Sequence, residues 1–139
     1  MDIRQINEKY TEIGFDLIST EPSLQSIKES SAQIIFLSSQ HKKVASGKYV
    51  FGVCEKIADK YKWGIPCDFT ITVFQPNVDE FHFTDEQVRA LIHHELLHVG
   101  VEKTDDDTEK FFIVPHDIED FRLILDLYGV NWDQPKQGE

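Results

Sequence analysis

The chain has few cysteines, few basic residues and no long apolar run. Its two cysteines, Cys54 and Cys67, form no C-x-x-C pair, which excludes a structural zinc ribbon and favours free thiols over a disulfide. No segment approaches the roughly 18 apolar residues that a membrane-spanning helix needs, and no apolar signal run follows the charged N-terminus. We therefore expect a cytoplasmic protein that does not enter a membrane.

The acidic excess narrows the range of partners. Fourteen Lys and Arg residues stand against 25 Asp and Glu residues, so the formal net charge is −11 at pH 7. Such a surface repels phosphate backbones, and autonomous nucleic-acid binding is therefore not expected. A basic partner or peptide is favoured instead. The composition gives no indication of the oligomeric state.

The length of the chain is sufficient for one folded domain. A chain of 139 residues, of which 40% are hydrophobic, can bury a core of its own. No internal repeat or second domain is apparent. We predict a single domain over residues 1–133, followed by a polar, disordered tail over residues 134–139.

One H-E-x-x-H motif is present, at His94-Glu95-Leu96-Leu97-His98. On an α-helix, residues four apart share a face, so the two imidazoles can bind one metal ion. Zinc binds neutral His nitrogens at about 2.0–2.1 Å, and Glu95 can then lie beside the attacking water as a general base. The motif arises by chance in about 2% of chains of this composition, and the alternative interpretation is a helix with surface histidines.

The surroundings of the motif predict a helix on independent grounds. Thr84 and Gln87 match a capping box, and acidic residues follow in the first turn. Apolar residues then recur at spacings of three and four as far as Val99. Gly100 supplies a stop signal, so the predicted helix covers residues 85–99.

Hydrophobic periodicity along the remaining chain predicts an α+β fold. A strand is preferred over a continuing helix in the ambiguous segment 49–57. The predicted helices cover 3–19, 23–30 and 117–128; the predicted strands cover 33–38, 49–57, 68–74 and 111–114; polar loops cover 41–48 and 101–110. The three consecutive aspartates in the second loop are interpreted as a solvated turn, in preference to a second cation site.

A catalytic zinc needs three protein ligands and an open position for water, so a third ligand must come from another element. His116 is favoured because it follows a predicted strand and Pro115, where the backbone turns and can direct a side chain towards the motif. Glu119 is a rival, since Glu also serves as a third ligand beside H-E-x-x-H. Asp117 and Asp120 are further alternatives, or could orient a ligand imidazole.

Three segments of the chain resemble the putative phage metallopeptidase family: DFTI at 68–71, LIHHELLH at 91–98 and PHDIEDF at 115–121. Members are small single-domain proteins encoded by phages and prophages, and the resemblance covers roughly residues 10–130. The chain is more distantly similar to the SprT-like zinc peptidases, in which a His that opens a later helix completes the site. That similarity supports His116. The chain lacks the C-terminal zinc ribbon of full-length SprT proteins, so their DNA-linked role is not carried over.

The motif and the resemblance together predict a zincin-like α+β domain in the cytoplasm of a bacterial host cell. It would have N-terminal helices, a sheet of three to four strands, the motif helix packed on that sheet and a C-terminal helix. The predicted reaction is peptide hydrolysis, with Zn²⁺ bound by His94, His98 and His116 and with Glu95 as general base.

Two other functions remain open from the sequence. One is a metal-binding interaction protein without turnover, and the other is a three-His hydrolase of a non-peptide bond, such as an endoribonuclease. For the peptidase, the acidic segment 102–109 predicts a preference for basic or unfolded segments. We expect such a segment to dock as an extended strand against a sheet edge.

Overall fold

The computed structural model describes residues 2–116. Its helices are α1 (Glu8–Thr20), α2 (Gln25–Lys28), α3 (Gln75–Glu80) and α4 (Asp85–Leu96). Its strands are β1 (Arg4–Ile6), β2 (Ile34–Ser39), β3 (Val44–Ala45), β4 (Lys48–Tyr49), β5 (Gly52–Lys56), β6 (Phe69–Phe74), β7 (Val99–Lys103) and β8 (Glu109–Ile113). Short 3₁₀ turns occur at Pro22–Leu24 and Asp59–Tyr61. The α+β class predicted from the sequence is confirmed.

The main sheet has four strands in the order β1-β2-β6-β5. Strands β2 and β6 are parallel, whereas β1 and β5 run antiparallel to their neighbours. Strand β6 is central and its side chains are almost all buried, as expected for a strand covered on both faces. Helices α1 and α4 pack against each other, and α4 also contacts β5 and β6. The hairpin β7–β8 forms a separate two-stranded sheet that lies beside α2 and β5.

The backbone of helix α1 at Gly14 lies directly against the Phe36 side chain of β2. A Cβ atom added to Gly14 would lie 2.2 Å from Cζ of Phe36, which is itself 1% exposed. The absence of a side chain therefore lets the ring of Phe36 pack directly against the helix backbone. The same ring also makes an edge-on contact with Phe15, at a centroid distance of 5.8 Å.

The predicted strands over 33–38, 68–74 and 111–114 are confirmed, as are the short helix after Pro22 and the strand interpretation of 49–57. The predicted first helix is wrong over its first residues. Asn7 caps α1 by accepting a hydrogen bond from the Tyr10 N–H, and Arg4–Ile6 instead pair with β2. The apolar residues Ile3 and Ile6, which suggested an earlier start, are 60% and 68% exposed.

The two predicted loops are wrong in part, because each contains a hairpin. Strands β3 and β4 are joined by Ser46 and Gly47, whose φ angles of 52° and 74° are typical of a type I′ turn. Half of segment 101–110 belongs to β7 and β8, and the other half is the turn that joins them. Helix α3 was not predicted, although Pro76 stands in its first turn, where Pro is common.

Three predictions fall on residues beyond the described part. The last helix over 117–128 and the tail over 134–139 lie outside residues 2–116, and a single domain over 1–133 stays a prediction. Over the described residues, no helix combines the length and apolar character needed to cross a membrane.

Because of the close contact at Gly14, we expect an alanine at this position to destabilise the protein, although alanine has a higher helix propensity than glycine. Gly14→Ala should lower the free energy of unfolding by about 1–3 kcal/mol, because the new methyl group would collide with the buried Phe36 ring. Urea denaturation measures this change. Glu12→Ala, at an exposed position of the same helix, is the matched control and should change stability by less than about 0.5 kcal/mol. Stabilisation by Gly14→Ala of about 1 kcal/mol, as propensity alone would give, contradicts the packing argument.

Candidate metal centre

Helix α4 brings the first half of the motif to the sheet. Its capping box is present: Thr84 accepts a hydrogen bond from the Gln87 N–H, and the Gln87 side chain accepts one from the Thr84 N–H. Ile92 and Leu96 are fully buried against the core. Because Ile92 and Leu96 fix this face of α4 in the core, the positions of His94 and Glu95 in the last turn of the helix are fixed as well.

The second half of the motif lies beyond the helix. We predicted a helix to Val99 with Gly100 as its stop, and this boundary is wrong because α4 ends at Leu96. A tight turn follows, in which the His98 N–H donates to the Glu95 carbonyl at 3.1 Å. The strand β7 begins directly afterwards and contains Gly100. His98 therefore lies at the junction between the helix and the hairpin.

Two hydrogen bonds to Val114 fix His98 at this junction. The Val114 N–H donates to the His98 carbonyl at 2.8 Å, which extends the β7–β8 ladder by one residue pair. The His98 Nδ1 lies 2.6 Å from the Val114 carbonyl oxygen. A carbonyl only accepts, so Nδ1 carries the hydrogen and Nε2 of the neutral ring keeps its lone pair. A ligand imidazole is commonly oriented for a metal in this way.

The three predicted imidazoles converge. The Nε2 atom of His116 is 3.0 Å from Nε2 of His98 and 3.0 Å from Nε2 of His94. All three ligand atoms lie within 4.8 Å of one another, in the one group of potential metal ligands that residues 2–116 contain. Tetrahedral zinc with bonds of 2.0–2.1 Å needs ligand nitrogens about 3.3 Å apart. Two of the three separations are close to this value, so the cluster fits a divalent ion that prefers imidazole.

The electrostatics of His94 suit a ligand. Burial, followed by the neighbouring imidazoles of His98 and His116, lowers the pKa of His94 to about 4. The ring is therefore neutral at pH 7, and neutral imidazole is the form that binds a metal ion.

Glu95 is buried beside this cluster. Its Oε2 atom lies 4.0 Å from Nε2 of His94, and the residue is 5% exposed. Burial raises the pKa of Glu95 to about 8. Gly52, on the adjacent strand β5, leaves room for this side chain, since a Cβ at that position would lie 3.3 Å from both Cγ and Oε2 of Glu95.

The remaining candidate ligands predicted from the sequence, Glu119, Asp117 and Asp120, lie outside the described residues. His93, which directly precedes the motif, faces Ser23, with Nε2 and Oγ 3.0 Å apart. In the acidic turn, Asp106 accepts hydrogen bonds from the hydroxyl groups that flank it, in keeping with the predicted solvated turn.

A cavity of about 630 Å³ opens beside the imidazoles and Glu95. It is bordered by α4 on one side and by residues 49–54 on the other, and Ile113 of the hairpin contributes to its wall. Its volume is in the usual range for a ligand-binding cleft.

The sequence analysis missed two contributors to the site. Gly52 carries a signal that could have been used, because a glycine inside a strand pattern often marks a close approach of another group. Val114 acts through its main-chain carbonyl and N–H, so its side chain carries no signal of that role.

Comparison with known proteins now gives the family. The family model described as putative phage metallopeptidase matches residues 4–136. The chain belongs to this family. No curated protein and no solved structure matches the chain. Membership confirms the resemblance found in the sequence, and the name of this phage metallopeptidase family implies a metal ion and a peptide or protein substrate.

The convergence of the imidazoles predicts a loss of metal on removal of one of them. Protein loaded with zinc and dialysed should contain about one zinc per chain, and His116→Ala should contain much less. Elemental analysis of the purified variants measures this. His93→Ala is the matched control, since it removes the neighbouring imidazole outside the cluster and should leave the metal content unchanged. Equal zinc in wild type and in a His94→Ala/His98→Ala double variant would exclude the site.

Proposed function

We propose that the protein is a zinc-dependent peptidase in which His94, His98 and His116 bind the metal and Glu95 is the general base. The observation that carries this proposal is the convergence of three imidazole nitrogens beside one buried carboxylate. The packing of α4 on β5 and β6 supports a zincin-like arrangement. We further propose that the activity resides in one domain over residues 1–133 and acts in the cytoplasm of a bacterial host cell.

Zinc, when bound, supplies a Lewis acid that lowers the pKa of water and polarises the substrate carbonyl. Glu95 would take a proton from the attacking water at its carboxylate and deliver it to the nitrogen of the leaving amine. The oxygen of the water forms the new bond to the carbonyl carbon, and the carbon–nitrogen bond breaks. Glu95 returns to its starting form, so the carboxylate is not consumed.

The surroundings of Glu95 suit a proton carrier. Burial raises its pKa to about 8, close to neutral pH, where a general acid–base group is most effective. Its place about 4 Å from a cation site would favour the carboxylate form needed to accept a proton. Its burial also keeps bulk water from competing for the transferred proton.

The edge of β5 supports a peptide as the substrate. The Phe51 carbonyl accepts from the Phe74 N–H, so in this antiparallel pair the main-chain groups of Gly52 and Cys54 point away from β6. Among residues 2–116 no strand pairs with that side of β5. Gly52 and Cys54 also line the cavity. An extended peptide can add to such an edge through main-chain hydrogen bonds.

The role of Glu95 predicts a variant that keeps the metal and loses turnover. Glu95→Gln should retain zinc while kcat falls about 10²–10⁴-fold, because the amide cannot accept the proton. The assay uses zinc-loaded protein and a peptide identified by cleavage of an unbiased library, analysed by mass spectrometry. Glu86→Gln, on an exposed position of the same helix, is the control and should remain fully active. Full activity of Glu95→Gln on the same peptide removes Glu95 from the mechanism. Stable zinc binding without cleavage of any peptide favours the interaction protein.

The contact between Gly52 and Glu95 predicts a positioning effect. Gly52→Ala should displace the carboxylate by a few tenths of an ångström and lower kcat by about tenfold, with zinc retained. Steady-state kinetics measures kcat and KM separately. Gly64→Ala is the matched control, because a Cβ there would meet no atom within 4 Å. Equal kcat values for the two variants would show that Gly52 has no part in placing Glu95.

A further inference from the structure

The cavity beside the metal centre has a mainly apolar wall. Apart from the imidazoles, the side chains that border it are largely aliphatic or aromatic: Ala45, Val50, Phe51, Val53, Phe83, Ala90, Leu91, Leu97 and Ile113. Burying a large apolar side chain against such a wall is favourable because it removes apolar surface from water. Such a lining therefore favours a bound side chain that buries a large apolar area.

The apolar wall is continuous with Glu95. Leu91 lies four residues before Glu95 on α4, so the two share a face of the helix. Phe51 adjoins Gly52, which contacts Glu95, and its ring packs on Phe83 at a centroid distance of 4.9 Å. A side chain resting on this wall would thus belong to a residue next to the bond that is cleaved.

The wall is held firmly in place. Phe51 also makes an edge-on contact with Phe81, at a centroid distance of 5.3 Å, and Phe81 contacts Tyr49 in the same way at 5.2 Å. Both Phe51 and Leu91 pack against the hydrophobic core. A wall supported on both sides in this way offers a preformed surface, which reduces the entropic cost of binding.

The charges of the cavity do not favour a basic side chain. Within the described part of the chain, Glu95 is the one carboxylate that lines the cavity, and Lys48 lines it as well. The acidic turn around Asp106 contributes no lining residue. The basic preference expected from the acidic sequence is therefore not supported at the cleft itself.

We propose that Phe51, Phe83 and Leu91 form a subsite for a bulky apolar side chain of an extended peptide, in a residue that flanks the cleaved bond. The occupant is a peptide because the outward main-chain groups of Gly52 and Cys54, with which no strand of residues 2–116 pairs, border the same cavity. This inference rests on the proposed peptidase function for its link to cleavage. The subsite itself can be tested by binding alone.

The first arm of the test is library cleavage by the zinc-loaded protein. Leu, Ile, Met or Phe should be enriched at one position flanking the cleaved bonds. Cleavage without such enrichment, or with enrichment of Lys or Arg, overturns the subsite and leaves the peptidase function standing. Absence of all cleavage counts against the peptidase function, and the subsite is then decided by the second arm.

The second arm measures binding to zinc-loaded Glu95→Gln protein by calorimetry. The probes are capped alanine hexapeptides with Leu, Ser or Lys at one central position. Each peptide can shift its register along the strand edge so that this residue lies in the subsite. The Leu peptide should bind roughly tenfold more tightly than the Ser and Lys peptides. Equal affinities, or no detectable binding of the Leu peptide, overturn the subsite.

A pair of variants locates the preference. Leu91→Ala should reduce the ratio of Leu to Ser affinity about threefold or more, because part of the apolar wall is removed. Leu37→Ala, a half-buried leucine of β2 that does not line the cavity, should leave the ratio unchanged. An unchanged ratio in folded Leu91→Ala would overturn the assigned wall. If that variant does not fold, as judged by circular dichroism, the wild-type ratio decides.

Discussion

The pairing of His98 with Val114 is the interaction on which the candidate metal centre depends. Its main-chain hydrogen bond extends the β7–β8 ladder to the end of α4, and its side-chain hydrogen bond orients the His98 ring. Two residues after Val114 the chain reaches His116, whose ring then faces the other two imidazoles. One residue pair thus sets both the tautomer of one predicted ligand and the position of another.

The burial of Glu95 is a constraint of a different kind. A carboxylate without strong partners is costly to bury, and the raised pKa of about 8 expresses that cost. Gly52 provides the space for the Glu95 carboxylate. The edge of β5 therefore accommodates this carboxylate without placing a basic side chain against it. A carboxylate buried in this way contributes little to the stability of the fold. Its presence is explained if Glu95 has a chemical role, because strongly shifted pKa values are common at functional sites.

Signals within a few neighbouring residues were sufficient to predict the elements whose structure depends on those residues alone. The capping box at Thr84 and Gln87 gave the start of α4, and the apolar runs gave β2 and β6. The errors occurred where partners distant in sequence decide the structure. Arg4–Ile6 extend because they pair with β2, and α4 ends at Leu96 because the following residues join a hairpin. Periodicity within one segment contains no information about either partner.

His116 shows the same distinction within the site. Its membership of the cluster was predicted from the need for a third ligand and from a turn at Pro115, yet the geometry comes from the hairpin, which was predicted mostly as a loop. Because His94 lies on the helix and His116 follows the hairpin, a metal ion bound to both would join the two elements. By linkage, metal binding would then stabilise their association, and the stability of the hairpin would set part of the metal affinity. The centre is therefore best regarded as a property of the helix–hairpin junction, more than of the five-residue motif alone.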